Sequence, residues 1–169
     1  MGVFRLLRIM MFKSISTLSL FIASRLIMAQ TQNNDMVSAQ PLDLDQVVSS
    51  KTHGNTVEYA CINPELTGKC IKYHNDQWYI FVADSSNLFV NMSSQSCRDL
   101  FGVQLVIFSG ELCQPETYNL ISCISLATQD DTYVELKGLT RGDSYWLNVD
   151  GYLHDFCTYD LEVGHLPKG

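Results

Sequence analysis

The chain has 169 residues, 46% hydrophobic and 17% charged, with 11 basic residues against 18 acidic ones. That length suits one domain with its own core, and a formal net charge of −7 excludes binding through neutralised phosphates, so no nucleic acid partner is expected. Six cysteines without a C-x-x-C pair read as a disulfide framework made outside the reducing cytosol.

Arg5, Arg8 and Lys13 flank the start of an apolar-to-small run, Ile15 to Ala23, and Ile27-Met28-Ala29 before Gln30 is a small-residue cleavage context. Residues 1–29 therefore read as a signal peptide. Arg25 interrupts the apolar run, whereas a spanning helix needs roughly 20 uninterrupted apolar residues. Without the leader the chain keeps 7 basic residues against 18 acidic ones, a net charge of −11. That balance suits solubility outside the cell and works against anionic lipid, so no membrane insertion is expected after cleavage. The expected location is secreted or cell-surface, with the periplasm as the alternative. Residues 30–54, rich in Asn, Gln, Ser and Asp, read as a polar linker or a loosely attached strand. The folded part is expected from Asn55, and residues 166–169 as a tail.

From there, short runs of β-branched and aromatic residues recur between turn residues, the pattern of an all-β fold. Strands are expected at Gln77 to Ala83, Leu88 to Met92, Val103 to Phe108, Tyr118 to Ser125, Thr132 to Lys137, Ser144 to Asp150 and Cys157 to Val163. Alternation assigns faces. Val103, Leu105 and Ile107 share one face, as do Val134 and Leu136, and as do Tyr159, Leu161 and Val163. Tyr145, Leu147 and Val149 lie opposite Trp146, Asn148 and Asp150. Glycines in Ser109-Gly110, Lys137-Gly138, Arg141-Gly142-Asp143 and Asp150-Gly151 stand where chain reversals ask for positive φ. The expected fold over residues 55–165 is an antiparallel two-sheet β-sandwich, jelly-roll or immunoglobulin-like, stapled by disulfides.

Leu139-Thr140-Arg141-Gly142-Asp143-Ser144-Tyr145-Trp146-Leu147-Asn148-Val149-Asp150-Gly151-Tyr152, followed by Asp155-Phe156-Cys157-Thr158-Tyr159, resembles the closing strands of a β-sandwich module. Such modules occur in secreted and surface proteins of Gram-negative gliding bacteria that use the type IX secretion route. Asn75-Asp76-Gln77-Trp78-Tyr79-Ile80-Phe81 and Val103-Gln104-Leu105-Val106-Ile107-Phe108-Ser109-Gly110-Glu111-Leu112-Cys113 resemble two further strands of the same module. The resemblance implies an architecture like that of pre-peptidase C-terminal modules and an accessory role in larger adhesins or hydrolases. A chain that stops at Lys168-Gly169 is then a stand-alone small protein or a fragment. The resemblance also implies the pairs Cys113–Cys123, Cys61–Cys70 and Cys97–Cys157. On that pairing the long-range bridge is worth about 4 kcal/mol and the short ones about 3.

Recognition is expected from aromatic side chains. Trp146 lies on the polar face of its strand, and Trp78, Tyr133 and Tyr152 join it as partly exposed rings suited to a glycan or an extracellular protein. No cofactor is required. Asp150, Asp155 and Asp160 offer the hard oxygens that a calcium ion would take, but match no known loop spacing. Arg141-Gly142-Asp143 spells an integrin-type tripeptide, yet its residue types are those of any exposed turn. His53, His74, His154 and His165 lack metal-ligand spacing. With every cysteine needed for a bridge and no nucleophile elbow, the expected function is a non-catalytic module for surface attachment or protein–protein interaction. The alternatives are a carbohydrate-binding accessory module and an extracellular hydrolase.

Overall fold

The computed structural model describes residues 33–67 and 70–168; the leader and its cleavage context lie outside the described residues. Nine strands form in chain order: β1 (Gln40–Pro41), β2 (Val48–Lys51), β3 (Gln77–Val82), β4 (Asn87–Cys97), β5 (Val103–Ser109), β6 (Asn119–Ile124), β7 (Thr132–Lys137), β8 (Ser144–Gly151) and β9 (Cys157–Gly164). They make a five-stranded sheet ordered β1-β3-β8-β5-β6 and a four-stranded sheet ordered β2-β9-β4-β7.

The pairs β2·β9, β3·β8, β4·β7 and β5·β6 are all antiparallel. The run β2 to β5 is thus one arm of a long hairpin and β6 to β9 the other, rolled so that successive rungs fall in alternate sheets. That is a jelly roll, which decides between the two sandwich types expected from the sequence. β1 is an addition, pairing parallel with β3. The polar segment 30–54 therefore supplies strands to both sheets, which moves the start of the fold upstream of Asn55. Its strands sit at sheet edges, where polar residues are tolerated on the open side.

Between the sheets lies an apolar core that includes Tyr79, Phe81, Leu88, Val90, Met92, Leu105, Ile107, Leu136, Leu147, Val149, Tyr159, Leu161 and Val163. The inward sets are those that alternation assigned. The outer face of the five-stranded sheet differs from expectation. It carries a second buried cluster, with Met36, Cys61, Ile62, Ile71, Trp78, Val106, Phe108, Tyr118 and Trp146. The long β2–β3 connection folds over this face through two short helical turns, Tyr59–Cys61 and Pro64–Thr67.

Two disulfides fasten that cover, Cys61–Cys113 to the β5–β6 loop and Cys70–Cys123 to β6 itself. The expected local pairs Cys61–Cys70 and Cys113–Cys123 are therefore corrected. The covering segment lies across the sheet and presents each sulfur to the β5–β6 hairpin rather than to its own neighbour. Cys97–Cys157 joins β4 to β9 as expected. Sequence separations of 52, 53 and 60 residues make all three bridges worth about 4 kcal/mol in the chain-entropy model, so the short-loop discount disappears. Gly151 also departs from the turn reading. Its φ is −73°, and it is glycine because a Cβ there would stand 1.9 Å from the Asp155 carbonyl oxygen.

Candidate functional site

A jelly roll gathers its loops at two ends. The β2–β3, β4–β5, β6–β7 and β8–β9 connections meet at one end, and the β3–β4, β5–β6 and β7–β8 connections at the other. The first end holds Leu100 at 63% exposure, Phe101 at 41%, Leu126 at 59% and Leu153 at 55%. Single exposed leucines need no explanation, but four large apolar side chains on three neighbouring loops do.

The loops that carry them are held firmly. Asp155, fully buried, accepts hydrogen bonds from the backbone N–H groups of Asp99 and Phe101, both at 2.9 Å. Its own carbonyl oxygen accepts from Thr52 Oγ1 and Asn75 Nδ2, each at 3.0 Å. Tyr152 N–H donates to the Gly102 carbonyl and Asp155 N–H to the Tyr152 carbonyl, both at 3.0 Å. One carboxylate thereby ties the β4–β5 loop to the β8–β9 loop, above the Cys97–Cys157 bridge. Leu100, Leu153 and His154 have φ of 65°, 49° and 70°, a left-handed conformation costing roughly 1–2 kcal/mol for a residue with a Cβ. Such strain persists only where the surroundings over-determine it. Tyr152, half-buried, lies with its ring centroid 6.0 Å from that of Phe101. His154 and His53 flank Phe156, and the Arg98 guanidinium sits 4.4 Å over the Phe156 ring.

The aromatic residues expected at the surface separate. Trp146 is only 9% exposed and Trp78 only 1%, because the β2–β3 connection covers their face of the sheet. Trp146 Nε1 donates to the Gly110 carbonyl at 2.9 Å, a structural bond. Neither tryptophan is available to a sugar. Tyr133 is exposed on edge strand β7. Tyr152 alone of the expected set stands at the first end.

The expected calcium acids do not converge. Asp150 and Asp160 lie on the outer faces of different sheets. Asp150, fully buried, accepts from the backbone N–H groups of His74 and Asn75 and from Gln104 Nε2. Asp155 is spent on the two loop N–H groups, and Asp160 accepts from Ser49 Oγ at 2.6 Å. A carboxylate saturated by N–H donors has little left for a cation. Asp155 lies close to the sulfurs of Cys97 and Cys157, but these are bridged and bind no metal.

Beside Asp150 the cover hides a polar group that the sequence did not advertise. Asp76 is fully buried, with Oδ2 accepting from Asn148 Nδ2 at 3.1 Å, while Asp76 Oδ1 and Asn148 Oδ1 meet no donor among the described residues. Burial pushes the Asp76 carboxyl up to about 7. Burial also raises Asp150, against the opposing bonds from His74 and Asn75. The crevice between cover and sheet, lined by Ile62, Leu66, Tyr73, Phe108 and Tyr118, has no room for a water molecule.

The opposite end also exposes apolar side chains, Val47 at 56%, Val82 at 54%, Leu112 at 44% and Leu166 at 68%, but its loops are tied by polar groups. Arg141-Gly142-Asp143 forms an exposed turn tied to the β3–β4 loop, Gly142 N–H donating to the Ala83 carbonyl and Ala83 N–H to the Asp143 carbonyl. His165 clamps two loops there, its Nδ1 2.7 Å from Asp45 and its Nε2 3.0 Å from Asp84. With both ring nitrogens facing carboxylates, the imidazolium is the form that satisfies the geometry, and these two bonds hold its pKa above the usual histidine range.

Fold and site together define a disulfide-bonded jelly-roll module with one loop end fastened by a buried carboxylate. No protein-family model matches the chain, and no curated protein matches it. Among solved structures, the pre-peptidase C-terminal domain of a collagenase from Bacillus anthracis is similar at 15% identity, over 74% of this chain and 93% of that one, with a TM-score of 0.40. At that level the similarity carries no weight for the fold, which rests on strand order and pairing.

Proposed function

We propose that this protein is a non-catalytic, extracytoplasmic binding module that serves surface attachment or protein–protein interaction through the loop end that Asp155 fastens. The observation that carries the reading is Asp155, a buried carboxylate whose two hydrogen bonds to described residues pin together the loops presenting Leu100, Phe101, Tyr152 and Leu153. Rigid loops on a rigid sandwich are where such folds place recognition. Three disulfides among the described residues support an oxidising compartment. The resemblance to modules of secreted surface proteins of gliding bacteria supports an accessory, adhesin-type role. A carbohydrate reading retains Tyr152 and Phe101 as stacking rings but loses both tryptophans.

Retention of the purified protein on bacterial cells, intact or stripped of surface protein by protease, tests the reading. Saturable retention that Leu100→Ser with Leu153→Ser abolishes is the expected result. Retention unchanged in that variant, or turnover of ester, peptide or glycoside substrates by the native protein, contradicts it.

A further inference from the structure

We infer that Asp76 and Asn148 form a proton-binding pair beneath the β2–β3 cover, and that the proton held there latches the cover to the outer face of the five-stranded sheet. Asn148 Nδ2 donates to Asp76 Oδ2 at 3.1 Å. The two remaining oxygens of the pair, Asp76 Oδ1 and Asn148 Oδ1, are both buried and both without a donor among the described residues. An ionised carboxylate has no hydrogen to give, so both oxygens then stay unmet, which buried acceptors rarely do. One proton on Asp76 Oδ1 turns that oxygen into a donor, for which the Asn148 carbonyl oxygen is the acceptor left open, and it removes the buried charge as well.

The surroundings favour the neutral acid. Asp150 faces Asp76 from β8, and Glu58 and the Tyr73 hydroxyl face it from the cover. His74 turns to Asp150 instead, its Nδ1 3.6 Å from Asp150 Oδ1. From β5 comes the neutral Gln104, bonded to Asp150. Tyr118 is spent on the Cys61 carbonyl and Asp35 on Ser38 N–H. Lys72, the one lysine among the described residues of the cover, is exposed. Burial first, and then Asp150 and Glu58, push the Asp76 carboxyl up to about 7 against the Asn148 bond.

The cover is the element that can respond. The backbone N–H groups of Cys61 and Thr67 bond within it, to Glu58 and Asn63. It meets the sheet through side chains instead, Gln104 Nε2 donating to the Lys72 carbonyl and Asp150 accepting from His74 and Asn75 N–H. Cys61–Cys113 and Cys70–Cys123 tether it, so it can lift and return while the sandwich stays folded, the kind of local opening that costs less than global unfolding. Asp76 is fully buried beneath it, so the ionised carboxylate meets water only when the cover lifts. A lifted cover returns Asp76 to about 3.9. Between about pH 4 and pH 7 only the closed form then keeps the proton, so closure weakens about tenfold per pH unit through that window and levels off above it.

Amide exchange of the native protein across that range, read as protection factors so that intrinsic rates cancel, tests the inference. Thr67, His74 and Asn75 are expected to be less protected than Leu161 and Val163 of β9 at every pH, and to lose about a hundredfold of their protection from about pH 5 to pH 7. Asp76→Asn keeps an amide in place of the neutral acid and is expected to cut that loss to less than about tenfold. The carbon-13 carboxyl shift of Asp76 in the folded native protein is expected to titrate near 7, a readout that does not depend on the variant folding. Cover amides as protected as those of β9, the same loss in Asp76→Asn, or an Asp76 midpoint below about 5, within the ordinary carboxyl range, overturns the latch.

Discussion

The two ends of the jelly roll are fastened by opposite chemistry. At one end a buried carboxylate, Asp155, holds two loops by their backbone N–H groups beside a disulfide, and the exposed side chains are leucine and phenylalanine. At the opposite end an exposed imidazole, His165, holds two loops by their side-chain carboxylates, and the exposed turn is Arg141-Gly142-Asp143. Removing a buried acceptor strands the backbone N–H groups it held, at about 1–3 kcal/mol each, whereas an exposed ion pair contributes little and yields to pH and salt. The two ends thus expose similar apolar side chains but differ in how firmly their loops are held.

The contrast breaks most readily through the covalent link. Cys97→Ser with Cys157→Ser is expected to cost about 4 kcal/mol in denaturant unfolding and to loosen the end fastened by Asp155 before the opposite one, visible as faster amide exchange in residues 98–102. A comparable effect comes from Asp76, also on that side of the molecule. Its folded pKa of about 7 exceeds the unfolded value near 3.9. Between about pH 4 and pH 7 the folded state therefore keeps a proton that the unfolded state has lost, and stability falls as pH rises through that window, by about 4 kcal/mol in total. Asp76→Asn is expected to remove that slope, giving a variant more stable than the native protein at pH 8 and no more stable below pH 4.

Asp155→Ala is next, at about 2–3 kcal/mol, because the Asp99 and Phe101 N–H groups lose their buried acceptor. It is expected to abolish binding at that end even under conditions where the fold survives, which a purely structural substitution would not do. The smallest effect belongs to the His165 end. His165 is raised by Asp45 and Asp84, so the clamp's contribution is fully present below about pH 6.5 and is lost as pH rises through the higher folded value. The backbone and ring bonds from His165 lower Asp45, so the clamp also weakens in acid, as pH falls through that depressed value. A proton titration followed by NMR is expected to show a high His165 pKa that Asp84→Asn lowers, with little change in the thermal midpoint.

Much of the sandwich was legible because alternation records which residues share a face. Thr132 to Lys137 is the strand the sequence indicated, and Tyr145, Leu147 and Val149 point into the core as expected. Alternation does not record what lies against the other face. Trp146 and Asp150 read as outward and are outward, but the β2–β3 connection buries them, and its short helical turns carry no period to announce a third layer. The same hidden layer redirected Cys61 and Cys70 to distant partners. Gln40–Pro41 and Val48–Lys51 were legible only as a linker or one loosely attached strand, because short edge strands need not be apolar. Leu100 and Leu153 escaped for a simpler reason: one leucine in a loop has no pattern, and only the closure of the jelly roll brings three such loops together.

Amide hydrogen exchange on the native protein with and without isolated bacterial cell envelopes tests most directly that the end fastened by Asp155 is the docking end. Protection confined to residues 98–102 and 152–156, with residues 138–143 unchanged, is the predicted result. Protection centred on residues 138–143, or none at either end, would contradict it.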